Sequence, residues 1–177
     1  MQRQYDLDHP SLTTLRNPSL RTESLVALGT FGALTAGAAV LGGGALNSAQ
    51  LWYRTLRKPS FQPPSWVFGP VWTVLYVVIA VSFGHVFWLA FKRRIPAITA
   101  LPFGLNLLFN FAFTPLQFGL KNNLLAALDI LLVLATLVWA LRSIWPHRRW
   151  VALANLPYLA WVAFATVLQL SITWLNR

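Results

Sequence analysis

The chain has 177 residues, of which 56% are hydrophobic and only 10% are charged, and its mean hydropathy is +0.57. The apolar residues come in long blocks, more than one core of a water-soluble domain could bury, so the composition predicts a polytopic membrane protein. The absence of cysteine excludes disulfide, thiolate and cysteine–metal chemistry. The net charge of +10 comes from short clusters of cations between the apolar blocks. This pattern favours contact with lipid headgroups over binding of nucleic acid.

The N-terminal part of the chain predicts a tail followed by a first membrane span. Residues 1–23 mix cations, acids and two prolines without an apolar run, so we expect a polar tail. Segment one, residues 24–48, is long enough to span and is rich in glycine and alanine. Its small residues Ala33 and Gly37, four apart, allow another helix to approach closely. A cleaved signal anchor is the alternative, and retention is favoured because the later segments need a partner helix.

Four further apolar blocks follow, at residues 66–91, 96–118, 124–145 and 150–175. Each holds about the 20 residues that a spanning helix requires. The predicted fold is an all-α membrane protein, a bundle of five transmembrane helices that forms one domain over residues 24–177. Nine of the 14 cations lie in the tail and near the turns after segments two and four, so the positive-inside rule predicts a cytoplasmic N-terminus.

The first connecting loop, residues 49–65, has an unusual composition. It combines the rings of Trp52 and Tyr53 with three cations, Arg54, Arg57 and Lys58, and with prolines at 59, 63 and 64. Proline fixes its own φ and disfavours helix in the residue before it. Residues 49–65 are therefore predicted to form a lid loop whose cations lie above a ligand cavity, and the run PSFQPPSW, residues 59–66, is predicted to be its stiff, extended part.

Three of the predicted helices carry aromatic or amide side chains at helical spacing, which would place each set on one face. Segment two presents Trp72 and Tyr76, with Phe83 and Phe87 further along the stripe. The other sets are Asn106, Asn110, Phe113 and Gln117 in segment three, and Trp161, Ala165, Leu168 and Gln169 in segment five. Packing and interhelical hydrogen bonds alone would explain each residue. Their convergence beneath the lid instead predicts a cavity for a flat apolar ligand that carries carboxylates.

For two ionisable residues within the spans, a structural role is favoured over a chemical one. Asp129 is the only acid outside the tail, and we expect a structural partner such as Asn122, Arg142 or a backbone group, with proton handling as the alternative. His85 is the only histidine in a predicted span, and packing is favoured over haem ligation. No metal site is predicted, and no set of residues for hydrolysis or phosphoryl transfer is present.

The stretches WYRTLRKPSFQPPSWVFGPVWTVLY (residues 52–76) and PYLAWVAFATVLQLSITWLN (residues 157–176) resemble the TspO/translocator protein family, also called tryptophan-rich sensory proteins or peripheral benzodiazepine receptors. Residues 105–132 match more loosely. The resemblance implies a five-helix fold, commonly a homodimer, that binds porphyrins, sterols and drug-like molecules in a pocket closed by the first loop. The expected partners are therefore a tetrapyrrole such as protoporphyrin IX or haem, the lipid bilayer and a second copy of the chain, with no cofactor required.

The resemblance also implies a sensory, regulatory or transport-related role. Some bacterial relatives are reported to degrade protoporphyrin IX in light, which implicates Trp72 and Trp161 as catalytic residues if this chain is an enzyme. A protein-interaction regulator without catalysis is the other alternative. The predicted ligand-binding residues are Tyr53, Arg57, Lys58, Pro63, Pro64, Trp66, Trp72, Tyr76, Asn106, Asn110, Phe113, Trp161, Ala165 and Leu168.

Several positions depart from the family pattern. Phe61 and Phe113 stand where the family usually has tryptophan, and Asn106 replaces the usual glutamine. Phenylalanine keeps the stacking area but lacks the indole N–H and its easier one-electron oxidation, so binding is favoured over photochemistry. Gln169 replaces a customary asparagine, and Leu170 stands where the mammalian sterol motif needs tyrosine, which argues against specific sterol recognition.

Overall fold

The computed structural model describes residues 46–177 together with Leu25, Val26 and Gly29, with side chains described from residue 51 onward and at those three positions. Within these residues the structure contains α-helices and one π-helical turn and has no β-strand. The helices are α1 (Leu46–Thr55), α2 (Ser65–Phe91), α3 (Ala97–Thr114, continued by the π-helical turn Pro115–Gly119), α4 (Asn123–Ile144), α5 (Arg149–Ala154) and α6 (Leu156–Leu175).

Four of the described helices are long and apolar enough to cross a membrane: α2, α3 with its π-helical turn, α4 and α6. The prediction of an all-α, multi-pass membrane protein is therefore confirmed, and the predicted ends of segments two and four are correct to within one residue. The predicted tail and most of segment one lie outside the described residues. Leu25, Val26 and Gly29 are helical, and Val26 packs against the bundle core.

The predicted lid loop over residues 49–65 is wrong in its first half. Residues up to Thr55 belong to α1, which also includes the predicted end of segment one. No proline occurs within residues 46–58, so nothing in the covalent structure prevents a helix there. Only residues 56–64 form the non-helical lid, which contains a turn in which the Gln62 N–H donates to the Pro59 carbonyl at 3.1 Å.

Segment five was predicted as one helix and instead consists of α5 and α6, separated at Asn155. Pro157 has no N–H to donate to the carbonyl four residues before it, which weakens the helix at this point. The Asn155 side-chain amide donates to the Val151 carbonyl and to the hydroxyl of Ser82 on α2, both at 2.8 Å. The interruption is therefore attached to a neighbouring helix by a buried hydrogen bond.

The core of the bundle lies between α2, α3, α4 and α6. Helix α4 packs against α3 on one side and α6 on the other. Phe83 of α2 and Phe103 of α3 are fully buried and meet edge to face, with ring centroids 4.7 Å apart. Many leucines on the outer faces are exposed, as expected where lipid covers the helices.

The Asn155–Ser82 hydrogen bond predicts a difference between two serine variants. Each serine hydroxyl donates to the carbonyl of the residue four before it, but only Ser82 also accepts across helices. Ser82→Ala leaves one N–H of the buried Asn155 amide without its acceptor and should lower the free energy of unfolding in detergent by about 1–2 kcal/mol. Ser171→Ala, the matched control, should change it by less than about 0.5 kcal/mol. Equal losses for the two variants would contradict the structural role of this bond.

Candidate functional site

A cavity of about 680 Å³ opens between the four spanning helices at the end of the bundle that carries the lid. This volume lies within the range of pockets that hold cofactors and drug-sized molecules. The lining is mainly aromatic and aliphatic, with a few amides. It consists of Tyr53, Phe68, Gly69, Trp72, Tyr76, Asn110, Phe113, Thr114, Gln117, Phe118, Ile130, Val133, Trp161, Ala165, Leu168, Gln169 and Ile172.

Aromatic rings form two walls of the cavity. On α2, Phe68, Trp72 and Tyr76 follow one another at intervals of four residues, so they share one helix face. The rings of Trp72 and Tyr76 lie 5.2 Å apart, and Phe68 meets Trp161 of α6 edge to face at 5.6 Å. The walls therefore offer several flat, polarisable surfaces to a ligand.

A buried hydrogen-bond network closes the inner end of the cavity. The fully buried Tyr158 hydroxyl donates to Asn106 Oδ1 at 3.0 Å and accepts from Asn110 Nδ2 at 2.9 Å. Asn106 in turn donates to the Val133 carbonyl at 2.9 Å and to the Thr136 hydroxyl at 3.3 Å. This network, the inner polar cluster, links α3, α4 and α6 to one another.

A second group of amides, the outer polar cluster, joins the same three helices near the lid. Gln169 Nε2 donates to Gln117 Oε1 at 3.0 Å, and Gln117 Nε2 donates to Asn123 Oδ1 at 3.0 Å. Gln117 lies in the π-helical turn Pro115–Gly119 that ends the third span. Because these amides bond to one another, the cavity stays predominantly apolar even where glutamines line it.

The lid contacts the cavity through rings and one cation. Tyr53 of α1 packs on Phe118 with ring centroids 5.5 Å apart, and the Lys58 ammonium lies 4.6 Å from the centroid of the Tyr53 ring. Burial raises the pKa of the Tyr53 phenol above its ordinary value, so this group stays neutral at physiological pH. Further along, Phe61 meets Phe164 of α6 edge to face at 6.3 Å.

The side chain of Asn176, the residue that follows α6, hydrogen-bonds to the backbone of the lid. Asn176 Oδ1 accepts from the Arg57 N–H at 2.9 Å, and Asn176 Nδ2 donates to the Arg57 carbonyl at 2.8 Å. The same amide nitrogen also donates to the Ile172 carbonyl at 2.8 Å, which fixes the side chain on its own helix. A single asparagine therefore pairs with both backbone groups of one lid residue, and we call this pairing the lid latch.

The cavity wall contains an unused hydrogen-bond donor. The indole Nε1 of Trp161 is shielded from solvent and has no hydrogen-bond partner among the described residues. A buried donor without an acceptor costs free energy, and such exceptions call for an explanation. An oxygen atom of a ligand in the cavity would supply the missing acceptor.

The structure brings eight of the fourteen predicted ligand-binding residues together around the cavity. They are Tyr53, Trp72, Tyr76, Asn110, Phe113, Trp161, Ala165 and Leu168. The two residues predicted as catalytic under the enzyme alternative, Trp72 and Trp161, are both among them.

Six predicted residues do not line the cavity. Asn106 lies one helical turn deeper than Asn110 and is fully buried in the inner polar cluster. Trp66 is 74% exposed in the first turn of α2. Trp66 and Trp72 are six positions apart on α2. At about 100° per residue, their side chains point in directions about 120° apart around the helix axis.

The predicted lid residues also lie outside the cavity lining. Pro63 and Pro64 precede α2, Arg57 is exposed, and Lys58 reaches the rim only through its contact with the Tyr53 ring. The cations therefore flank the opening instead of lining it.

The partner expected for Asp129 is not found among the described residues, whereas His85 packs against aromatic rings as expected. Asp129 is buried, and its Oδ2 has no hydrogen-bond partner among the described residues, so the expected partner is not found there. Asn122 instead caps α4 by accepting from the Leu125 N–H at 3.0 Å.

His85 packs between the rings of Trp88 and Trp150, with ring centroids 5.9 and 5.2 Å away. Among the described residues, no group of three histidines, cysteines or acids could hold a metal ion.

Several cavity residues were not predicted from the sequence. Phe68 lies four residues before Trp72, so the same helical spacing that identified Trp72 and Tyr76 would have found it. Tyr158, which does not line the cavity but belongs to the inner polar cluster, precedes Trp161 by three residues and could have been found in the same way. Ile130 and Val133 carry no distinguishing pattern, because segment four is apolar on every side.

The fold and the cavity define a class: an all-helical, multi-pass membrane protein with an aromatic ligand-sized cavity beneath a short lid. The model of the TspO/MBR family matches residues 30–175. The chain is 36% identical over 134 residues to the Tryptophan-rich protein TspO of Archaeoglobus fulgidus, which covers 73% of this chain and 83% of the relative.

Two further relatives agree with this match. The chain is 35% identical over 123 residues to the human Translocator protein, covering 67% of this chain and 70% of the relative. It is 33% identical over 137 residues to the Tryptophan-rich sensory protein of Cereibacter sphaeroides, covering 75% of this chain and 82% of the relative. The chain belongs to the TspO/MBR family.

The lid latch predicts how the lid responds to one substitution. Asn176→Ala removes both hydrogen bonds to Arg57, so the lid should open more often. With a hydrogen bond worth about 1 kcal/mol, the Arg57 amide hydrogen should exchange with deuterium about fivefold faster. Hydrogen-exchange mass spectrometry of the protein in detergent measures this rate. Asn122→Ala removes an amide from the loop before α4 and serves as the control, and equal exchange in the two variants would contradict the latch.

Proposed function

We propose that the protein binds a tetrapyrrole in the cavity beneath the lid, in a sensory, regulatory or transport-related role of the TspO type. The observation that carries the proposal is the combination of aromatic walls with an unpaired indole N–H and a cation at the rim. Tetrapyrroles are flat and largely apolar, and they carry carboxylates at one edge. Each of these properties has a counterpart in the cavity.

The walls suit the macrocycle. Trp72, Tyr76 and Trp161 present ring faces or edges to the space between α2 and α6. Aromatic side chains bind flat π-systems through stacked and edge-to-face contacts. The Trp161 N–H is a donor for a carboxylate or carbonyl oxygen of the ligand, and this bond would satisfy a group that is otherwise unpaired.

The rim suits the carboxylates. Lys58 contacts the Tyr53 ring at the edge of the cavity, and its flexible stem lets the ammonium reach toward the opening. A hydrogen bond between an ammonium and a carboxylate is stronger than one between neutral groups. The macrocycle would lie between the helices with its acid groups directed toward the lid.

The contribution of the Trp161 ring is tested by a pair of tryptophan variants. Trp161→Ala should weaken protoporphyrin IX binding by about 1–3 kcal/mol, the range found for stacking of flat bases on aromatic side chains. Quenching of the remaining tryptophan fluorescence during a titration in detergent gives the dissociation constant. Trp66→Ala is the control because Trp66 is exposed outside the cavity. An unchanged dissociation constant for Trp161→Ala, or an equal loss for Trp66→Ala, would overturn the assignment of the cavity.

The role of Lys58 is tested with two forms of one ligand. Lys58→Met should weaken binding of protoporphyrin IX by about 0.5–1 kcal/mol, since the ion pair is partly solvated. It should leave binding of the dimethyl ester, which has no carboxylates, nearly unchanged. Lys92→Met removes a lysine at the opposite end of the bundle and should affect neither ligand. The same loss for acid and ester would show that Lys58 acts through packing and not through charge.

Light-dependent degradation of protoporphyrin IX is a second candidate function. It is favoured by one observation, that Trp72 and Trp161 both line the cavity. The discriminating experiment illuminates the complex in air and follows porphyrin absorbance. Loss of absorbance with a new product, reduced in the Trp72→Phe, Trp161→Phe double variant, would support catalysis. Equal loss in the variant, or with free porphyrin in detergent, would exclude it.

A further inference from the structure

A second concave surface lies at the opposite end of the bundle from the lid. This groove has a volume of about 430 Å³ and runs between the end of α4 and the junction of α5 with α6. Its residues are apolar except for one arginine. They are Val138, Leu141, Arg142, Trp145, Ala152, Leu156 and Leu159.

Arg142 has no side-chain partner in the part of the chain that the structure describes. Among the described residues it makes no hydrogen bond, ion pair or ring contact. Two neighbouring cations do have such contacts, because Arg148 donates to the His147 carbonyl and Arg149 lies over the Trp145 ring. Arg142 is exposed in the last turn of a spanning helix, which places its guanidinium at headgroup depth, within reach of the lipid headgroups.

No acidic side chain of the described chain is near enough to neutralise Arg142. Asp129 is the only acid after residue 23, and it lies 13 residues earlier on the same helix. At about 1.5 Å per residue this is about 20 Å away. Within residues 46–177, six cations lie at this end of the bundle: Lys92, Arg93, Arg94, Arg142, Arg148 and Arg149. The local electrostatic potential therefore favours a net anion over a zwitterion.

The apolar part of the groove indicates what carries the anion. Leu156 is 49% exposed and Trp145 is 45% exposed. In a bilayer these surfaces meet acyl chains, and a tryptophan at this level is typical of the membrane–water interface. A ligand with an acyl chain in the groove and a phosphate above it would satisfy both the apolar wall and the guanidinium.

We propose that the groove between α4 and the α5–α6 junction binds one anionic glycerophospholipid, with its phosphate on Arg142 and an acyl chain along Leu156 and Leu159. Guanidinium and phosphate match in charge and geometry, and the planar fork allows two parallel hydrogen bonds. Basic pockets between spanning helices recognise anionic headgroups in this way. The site is separate from the lid cavity and shares no residue with it.

The test compares two lipids that differ only in headgroup. Delipidated protein in detergent is titrated with phosphatidylglycerol or with phosphatidylcholine of the same acyl chains, and native mass spectrometry counts the bound lipids. The wild-type protein should prefer phosphatidylglycerol. Arg142→Gln should weaken phosphatidylglycerol binding about fivefold, the effect expected for one interfacial cation, and Arg142→Lys should retain most of it.

Two further variants distinguish binding in the groove from nonspecific attraction of anionic lipid to the cations at this end of the bundle. Arg93→Gln removes a cation from the same end of the bundle but outside the groove, and it should leave the first bound phosphatidylglycerol unchanged. Leu156→Trp fills the exposed part of the groove and should reduce binding while Arg142 is still present, which also covers the case that Arg142→Gln does not fold. Melting temperatures check that the variants are folded.

Three results would overturn the proposal. One is the same loss of binding for Arg93→Gln as for Arg142→Gln, which would indicate nonspecific attraction of charge. Another is no preference for phosphatidylglycerol over phosphatidylcholine. The third is displacement of the lipid by millimolar inorganic phosphate, which would show that the site takes a free anion and does not require an acyl chain.

Discussion

The hydroxyl of Tyr158, buried between two asparagines, constrains the positions of three helices. It bonds to Asn106 and Asn110 of α3, and Asn106 bonds to the backbone of α4. No water is present in the hydrocarbon region to replace a lost partner, so each of these groups must find its partner within the bundle. Sliding any of the three helices along its axis would leave a buried donor or acceptor unpaired. The inner polar cluster therefore sets the register of the helices that surround the cavity.

The cavity lies between this cluster and the outer polar cluster of Gln117, Asn123 and Gln169. The two clusters hold α3, α4 and α6 together at two depths. Between them the space is bounded by rings and small residues, including Gly69 and Ala165. A Cβ added to Gly69 would meet nothing within 4 Å, so the glycine borders open space. The two clusters fix the distances between α3, α4 and α6, and the small residues between the clusters leave space. A ligand can occupy this space without separating the helices.

Hydropathy was sufficient to predict the four spans that the structure describes, because length and apolar content determine them directly. Helical spacing was sufficient to bring Trp72, Tyr76, Asn110, Phe113 and Trp161 to one place. Depth along a span was not predictable in the same way. Asn106 shares the face of Asn110 but lies below the cavity floor, since the spacing specifies a direction around the helix and not the level at which the cavity ends.

The structure of the lid and the hydrogen bonds between residues far apart in the sequence were harder to predict. The prolines after Arg57 suggested an extended connection, yet they begin too late to prevent the helix that ends at Thr55. The latch between Asn176 and Arg57 joins residues 119 positions apart, and nothing in either local sequence indicates the pairing. The unpaired indole nitrogen of Trp161 likewise depends on which acceptors lie nearby, which only the folded structure specifies.

The central claim is that the lid cavity is the ligand site, and filling that cavity tests it most directly. Ala165 lines the cavity, whereas Leu170, five residues later on the same helix, lies outside it and is 42% exposed. The measurement is a titration of Ala165→Trp and Leu170→Trp with protoporphyrin IX, with melting temperatures recorded on the same samples. Ala165→Trp should remain folded and lose affinity by about 1.4 kcal/mol or more, a tenfold change in the dissociation constant, while Leu170→Trp should bind as the wild type does. Undiminished binding by a folded Ala165→Trp variant would contradict the account.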